Sequence, residues 1–282
     1  MTAQSSSSFA YAPSRILAPR IYDVPRDGDG PRAAVPKSLP SAADERLHRK
    51  QQLAASLRLL ARHGVEPGLA GHLSARDPEH TDHFWVNPVG VPFSHIRVSD
   101  LLRIDSDGRV VEGDGPVNIS GIAYHHAVQR ARPDVVGIVH AHSFHAKTWS
   151  AFGRPVEPIV ADLAVFHQDQ VIFVPDRPPE RTEADARDEV ADQFVRALGN
   201  RNILIWRNHG HWTVGNTVES AAWRFIAYES AARVQLAAQA AGTAIVDPPA
   251  RAPSAEQREA WAWLSFLPYW DQVVRDEPDL FD

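Results

Sequence analysis

The chain has 282 residues, 44% of them hydrophobic and 23% charged, with a formal net charge of −6. Those values fit an ordinary globular chain and exclude a largely disordered polymer, a membrane-spanning bundle and a protein drawn to nucleic acid by bulk charge. Cysteine is absent, which removes disulfide scaffolds, thiolate metal sites and cysteine nucleophiles together, whereas histidine occurs 14 times.

Residues 1–40 read as a flexible tail. They carry a serine run at 5–8, prolines at 13, 19, 25, 31, 36 and 40, and Asp-Gly-Asp-Gly at 27–30, too little apolar surface to offset ordering entropy. The start has no apolar segment of the kind a secretory signal needs, so a cytoplasmic location is expected. From Ser41 the pattern is helical: Ser41 as N-cap, Asp44 and Glu45 in the first turn, Leu47, Leu53, Leu57 and Leu60 on one face, and Gly64 as the stop. Residues 68–76 read as a turn into a short strand. Strands are expected at 83–86 and 94–98 around the turn Asn87-Pro88-Val89-Gly90, then a hairpin over 101–112 turning at Asp107-Gly108.

Residues 122–131 resume helical spacing and stop before Pro133, and 135–140 is an apolar run that reads as a buried strand. Helices at 143–152 and 183–198 flank expected strands at 158–161, 171–174 and 203–206. A long alanine-rich helix spans 218–241, and the segment AWAWLSFLPYWDQV closes the chain. Its aromatic stripe, Trp261, Trp263, Phe266, Tyr269 and Trp270, suits a core or subunit interface, or a cover over an aromatic substrate. Helices interleaved with short strands make 41–282 a single α/β domain, helices packed on both faces of one sheet, ending in an aromatic-rich extension.

Histidine placement carries the functional signal. His140 and His142 end the 135–140 strand, where residues i and i+2 project from the same face, a natural pair of nitrogen ligands for a first-row metal. His145 follows at the turn into the next helix. His209 and His211 flank Gly210 directly after the apolar strand 203–206, where a third ligand can arrive from a neighbouring strand.

The strings RARPDVVGIVHAHSFHA (130–146), NILIWRNHGHWTVGNTVESAA (202–222) and GLAGHLSARDPEHTDHFWVNPVGVPFS (68–94) resemble the class II aldolase/adducin family over about 45–245. The resemblance implies an αβα sandwich around a mostly antiparallel sheet and a divalent metal. It also implies a homotetramer with active sites near subunit interfaces, and His140, His142 and His209 as the metal ligands. Where the family's aldolases carry Pro-Ser-Ser-Glu, this chain has Asn118-Ile119-Ser120-Gly121. The glutamate, ligand and base in those enzymes, is thus a glycine. Their Gly-Asn-x-Ser is Gly71-His72-Leu73-Ser74, their tyrosine proton donor falls at Leu163, and Gly90 still matches. A sugar phosphate therefore loses about half its partners, while a carboxylate can bind near His72 and Ser120.

The sequence looks most like the aminocoumarin-pathway branch lacking that glutamate, described as non-haem iron oxygenases. The resemblance implies Fe(II), with Zn or Mn possible, and an aromatic 2-oxo or 2-hydroxy acid cleaved with dioxygen. Asp162, His72 and Ser120 are the expected catalytic groups, with Gly90, Gly121, His125, His145 and His167 lining the substrate site. Asp162 stands where epimerase relatives reach across a subunit boundary with an acid/base aspartate; its other reading is a structural hydrogen bond. His125 rather than His126 is expected to face inward. A Zn- or Mn-dependent decarboxylase or aldolase is the alternative reading, and a non-catalytic adducin-like binding module the third. Neither nucleic acid nor membrane is an expected partner.

Overall fold

Ser41 ends the leading segment as an N-cap: its hydroxyl accepts from the Asp44 N–H at 3.1 Å, and helix α1 (Ala42–Arg62) follows. The computed structural model describes residues 36, 39–66, 68–176, 183–242, 244–249 and 252–282. The expected tail over 1–40 falls almost wholly outside the described residues. The remaining elements, in chain order, are β1 (Gly71–Arg76), β2 (Phe84–Val86), β3 (Leu102–Ile104), β4 (Val110–Glu112), α2 (Ile119–Ala131), β5 (Gly137–Ala141), α3 (Phe144–Ser150), β6 (Gln170–Phe173), α4 (Glu183–Leu198), β7 (Ile203–Trp206), β8 (Gly210–Gly215), α5 (Val218–Ala241) and α6 (Ala255–Asp276).

The strands form one sheet in the order β4-β3-β2-β1-β5-β8-β7-β6, antiparallel throughout except for the parallel pair β6 and β7. Register sorts the side chains into two layers. Leu73, Val139, Thr213 and Ile203 are successive partners across β1, β5, β8 and β7, as are His72, His140, Trp212 and Leu204 one residue along. The first row faces α1, α3, α5 and α6. Leu73, Val139 and Ala141 pack there with Leu53, Leu57, Phe225, Phe266 and Trp270, each fully buried aliphatic chain contributing about 1.5–3 kcal/mol. The second faces α2 and α4, where Ile138, Leu204, Trp212 and Val214 meet Val128 and Phe194. The αβα sandwich with a mostly antiparallel sheet is therefore as expected.

Three expectations change. Residues 94–98 are not a strand but parts of two 3-10 turns, Phe93–His95 and Val98–Asp100. Pro92 lacks a ladder N–H, and its carbonyl instead accepts from His95 N–H at 2.9 Å. Residues 158–161 bend into a third such turn, Ala161–Phe166. The edge beside them is satisfied by a side chain: Gln170 accepts from Val156 N–H and donates to its carbonyl. Conversely, β8 is a full strand where the sequence shows mainly a glycine turn, because Trp206 pairs directly with Gly210 and the reversal takes only three residues.

The aromatic closing segment is helix α6, and it settles on α1. Trp263, Phe266 and Trp270 belong to the core there, on the sheet face opposite His140, so they do not close over a substrate beside that histidine; Trp261 is exposed. Arg58 ties the chain end to α1. Nearly buried, it donates Nε to the Ile96 carbonyl, Nη1 to Glu277 and Asp279, and Nη2 to Asp279 at 2.9 Å. Arg58→Ala is expected to destabilise the fold by about 2 kcal/mol, short of a fully buried pair because Asp279 is half exposed. Urea denaturation checks this, and a loss under about 0.5 kcal/mol would show that the anchor is dispensable.

Candidate metal centre

The C-terminal end of β5 presents His140, His142 continues past it, and His209 arrives from the three-residue reversal between β7 and β8. That reversal needs Asn208 in the left-handed region at φ 63°, a conformation asparagine tolerates better than most residues. His209 Nε2 lies 3.2 Å from both His140 Nε2 and His142 Nε2. All three ligand nitrogens fall within 4.8 Å of one another, the one such cluster among the described residues.

Two features suit these nitrogens to a metal. His140 Nδ1–H donates to the His211 carbonyl at 2.9 Å, which leaves the Nε2 lone pair turned into the cluster. Burial also pushes the His140 and His142 imidazoles below the ordinary histidine range, His140 far below it, so neither holds a proton against an ion. Two nitrogens each about 2.1 Å from one ion, at tetrahedral or octahedral angles, stand roughly 3.0–3.4 Å apart. The 3.2 Å from His209 Nε2 to each of the other two nitrogens fits, and all three lie within 4.8 Å.

The rings are fixed by packing. His140 stacks on Trp212 with centroids 4.2 Å apart and an interplanar angle of 10°, and His209 stacks on Trp206 at 4.9 Å. His211 does not join them. It lies on the opposite face of β8, stacked on Phe225 at 4.0 Å, and burial holds its pKa down at about 4.

The other expected residues separate into three groups. His72, His125 and Gly121 lie beside the triad: the His72 ring centroid is 5.2 Å from that of His140, and His72 Nδ1 is 2.6 Å from His125 Nε2. A Cβ on Gly121 would overlap the His72 ring, so a side chain at 121 and an imidazole at 72 exclude each other. Of the two helical histidines His125 does face inward, at 1% exposure. Ser120 stands in the first turn of α2, its side chain outside the described residues.

The second group is oriented elsewhere. His145 Nδ1 bonds Glu229 at 2.7 Å, and the same carboxylate accepts from the His145 and Ala146 N–H groups at the start of α3. Gly90 sits in the turn after β2 with φ 90° and open space where a side chain would be. The third group is on the 3-10 turn. Asp162 is exposed and makes no hydrogen bond among the described residues, and the His167 carbonyl accepts from Arg258 at 3.4 Å.

Sequence reading missed Ser74, Gln129, Trp212 and Glu229, which position His125, Ser74, His140 and His145 respectively. Two had a local signal. Ser74 follows His72 by two residues on a strand, and Gln129 follows His125 by four on a helix, so each pair shares a face.

The model of the Class II Aldolase and Adducin N-terminal domain matches residues 51–236. Among curated relatives, the 4-hydroxy-3-prenylphenylpyruvate oxygenase/4-hydroxy-3-prenylbenzoate synthase of Streptomyces roseochromogenus subsp. oscitans is 34% identical over 243 residues, covering 84% of this chain and 86% of that protein. Decarboxylase NovR of Streptomyces niveus is 34% identical over 244 residues, covering 84% and 88%. Among solved structures, the L-fuculose 1-phosphate aldolase from Glaciozyma antarctica PI12 superposes with a TM-score of 0.78 at 31% identity, covering 88% of this chain and 96% of that one. These relatives are named as enzymes, and no described helix of this chain is long and apolar enough to cross a membrane.

Proposed function

The chain belongs to the class II aldolase/adducin family, and from that premise we propose that it is an Fe(II)-dependent oxygenase. Its reaction is oxidative cleavage of a carbon–carbon bond, with decarboxylation, in an aromatic 2-oxo or 2-hydroxy acid. The observation that carries the reading is a cluster of three imidazoles with glycine at 121, where the family's aldolases carry a carboxylate. The relatives named as oxygenase and decarboxylase support the same chemistry.

His140, His142 and His209 would hold the ion, and three neutral ligands leave its full charge to attract an anionic oxo acid. A bound divalent iron supplies an open coordination site and the means to activate dioxygen. Lys147 on α3 adds positive potential beside His142. Leu69, Ile119 and Phe144 are 66%, 65% and 69% exposed. They stand before β1, at the start of α2 and just beyond β5, the end of the sheet that carries the triad, and offer apolar surface for an aromatic ring. Asp162, exposed and without a hydrogen-bond partner among the described residues, and His167 beside it would serve the site of a neighbouring subunit in a homotetramer.

An arylpyruvate and one dioxygen balance to an arylhydroxyacetate and one carbon dioxide, so oxygen uptake and carbon dioxide release should match mole for mole. With Fe(II)-loaded protein, 4-hydroxyphenylpyruvate-like or mandelate-like acids are expected to drive oxygen uptake that Zn-loaded protein does not show. Carbon dioxide or aldehyde release with Zn or Mn and no oxygen uptake would instead make the protein a lyase, with Asp162 the residue to replace next. Protein that takes up no metal would point to a binding module.

A further inference from the structure

Beside the triad runs a buried chain of hydrogen bonds. Gln129 Nε2 donates to Ser74 Oγ at 3.4 Å, Ser74 Oγ lies 2.5 Å from His125 Nδ1, and His125 Nε2 lies 2.6 Å from His72 Nδ1. All four side chains are more than nine-tenths buried, Ser74 completely. Both rings are buried among imidazole and indole rings, with no carboxylate at hydrogen-bond distance of either among the described residues, so each is neutral and carries one hydrogen.

The direction of the chain then decides which nitrogen of His72 carries it. Gln129 donates to the Ser74 oxygen, and His125 Nδ1 is the one acceptor the Ser74 hydroxyl meets among the described residues, so the serine hydrogen goes to His125 Nδ1. His125 therefore carries its hydrogen on Nε2 and gives it to His72 Nδ1. His72 is left with its own hydrogen on Nε2, an atom with no hydrogen-bond partner among the described residues.

The ring that carries this N–H stands beside the metal ligands, its centroid 5.2 Å from that of His140, without being one of them. His72 and His140 are direct partners on β1 and β5, on one face of the sheet, yet the ligand cluster contains only His140, His142 and His209. The ring takes the volume that any side chain at 121 would need, because a Cβ on Gly121 would come 2.5 Å from His72 Cδ2. Gly121 is thus the space that admits the His72 ring.

We propose that His72 binds the substrate as a fixed N–H donor to an oxygen of the metal-chelating oxo acid, with Gln129, Ser74 and His125 as positioning residues that set its tautomer. In this assignment His72 does not take a proton from the substrate, since its one lone pair is spent on His125. The inference rests on the triad holding a metal that an oxo acid chelates.

Nitrogen-15 spectra of histidine-labelled full-length protein, metal-free and Zn-loaded, read the tautomer directly, with His72→Phe identifying the signals. Nε2 is expected to be protonated and Nδ1 bare in wild type, and Ser74→Ala should give a mixture. A bare Nε2, or a doubly protonated ring, overturns the proposal. Binding of 4-hydroxyphenylpyruvate to Zn-loaded protein supplies the second measurement. His72→Phe, which keeps the ring volume, should weaken it on the order of 10- to 100-fold with zinc affinity unchanged. Gly121→Ala should weaken it in the same direction by displacing the ring. A parallel fall in zinc affinity would make His72 a ligand and overturn the donor role, as would unchanged acid binding. Wild-type protein that binds no zinc would instead overturn the metal reading, and the metal-free spectra would still decide the tautomer.

Discussion

His209→Ala is expected to lower affinity for Zn(II) or Fe(II) at least about 100-fold, the upper end of what loss of a supporting contact to a ligand costs, and to remove turnover with it. His209 is half-buried at the tip of the β7–β8 reversal, so its loss leaves the sheet and both helical layers in place. The unfolding midpoint of metal-free protein should therefore hardly move. His140→Ala should lose metal to the same extent but also destabilise the metal-free fold, because its ring is buried and stacked on Trp212. Isothermal titration with zinc, alongside thermal melts of both metal-free variants, measures the two effects separately. Full metal occupancy in His209→Ala would sink the three-histidine assignment whatever the melts show.

Asp77→Ala is expected to cost about 3 kcal/mol of stability at neutral pH. The side chain is fully buried beyond the end of β1 and accepts five hydrogen bonds. Two come from Arg46, at 2.6 and 2.9 Å, one from Trp85 Nε1 at 3.0 Å, and two from the N–H groups of Glu79 and His80. Removing the carboxylate leaves the indole and two amides without an acceptor, which places the loss near that of breaking a buried pair. It stays at the lower end because Arg46 is partly exposed and keeps Glu79.

The same contacts hold the Asp77 carboxyl below the ordinary aspartate range despite its burial. With the folded value depressed, the contribution is fully present above the unfolded value of about 3.9 and fades as pH falls through the folded one. The difference in unfolding free energy between wild type and Asp77→Ala should therefore be constant from pH 7 to 5 and shrink below pH 4. A difference that stays flat to pH 2 would assign the loss to packing and to the unpaired indole rather than to the charge.

The position of the candidate centre was legible because its signals are local. His140 and His142 share a strand face by the two-residue repeat, and His209 sits beside a glycine at the end of an apolar strand; the structure brings all three together. The α1 cap and the helices at 218–241 and 183–198 were equally visible, since capping and 3.6-residue periodicity depend on neighbours in the chain. The strand readings failed where a proline or a side chain took the place of a ladder partner, as at Pro92 and Gln170.

By itself the sequence determined the layered α/β architecture, the missing carboxylate at 121 and the identity of three imidazoles at strand ends. The architecture follows from residue type and from contacts within one element, and the other two also draw on the resemblance to the class II aldolases. Only the tertiary structure decided that His72 fills the space above Gly121, that His125 and Ser74 hold it, and that His211 turns away from its neighbour His209. Those outcomes depend on strand register and on how α2 packs against the sheet, which joins residues 53 positions apart as with His72 and His125. A shift of one residue between β1 and β5 would have sent His72 to the opposite face. No local pattern encodes that choice, because it is set by the burial of both sheet faces at once.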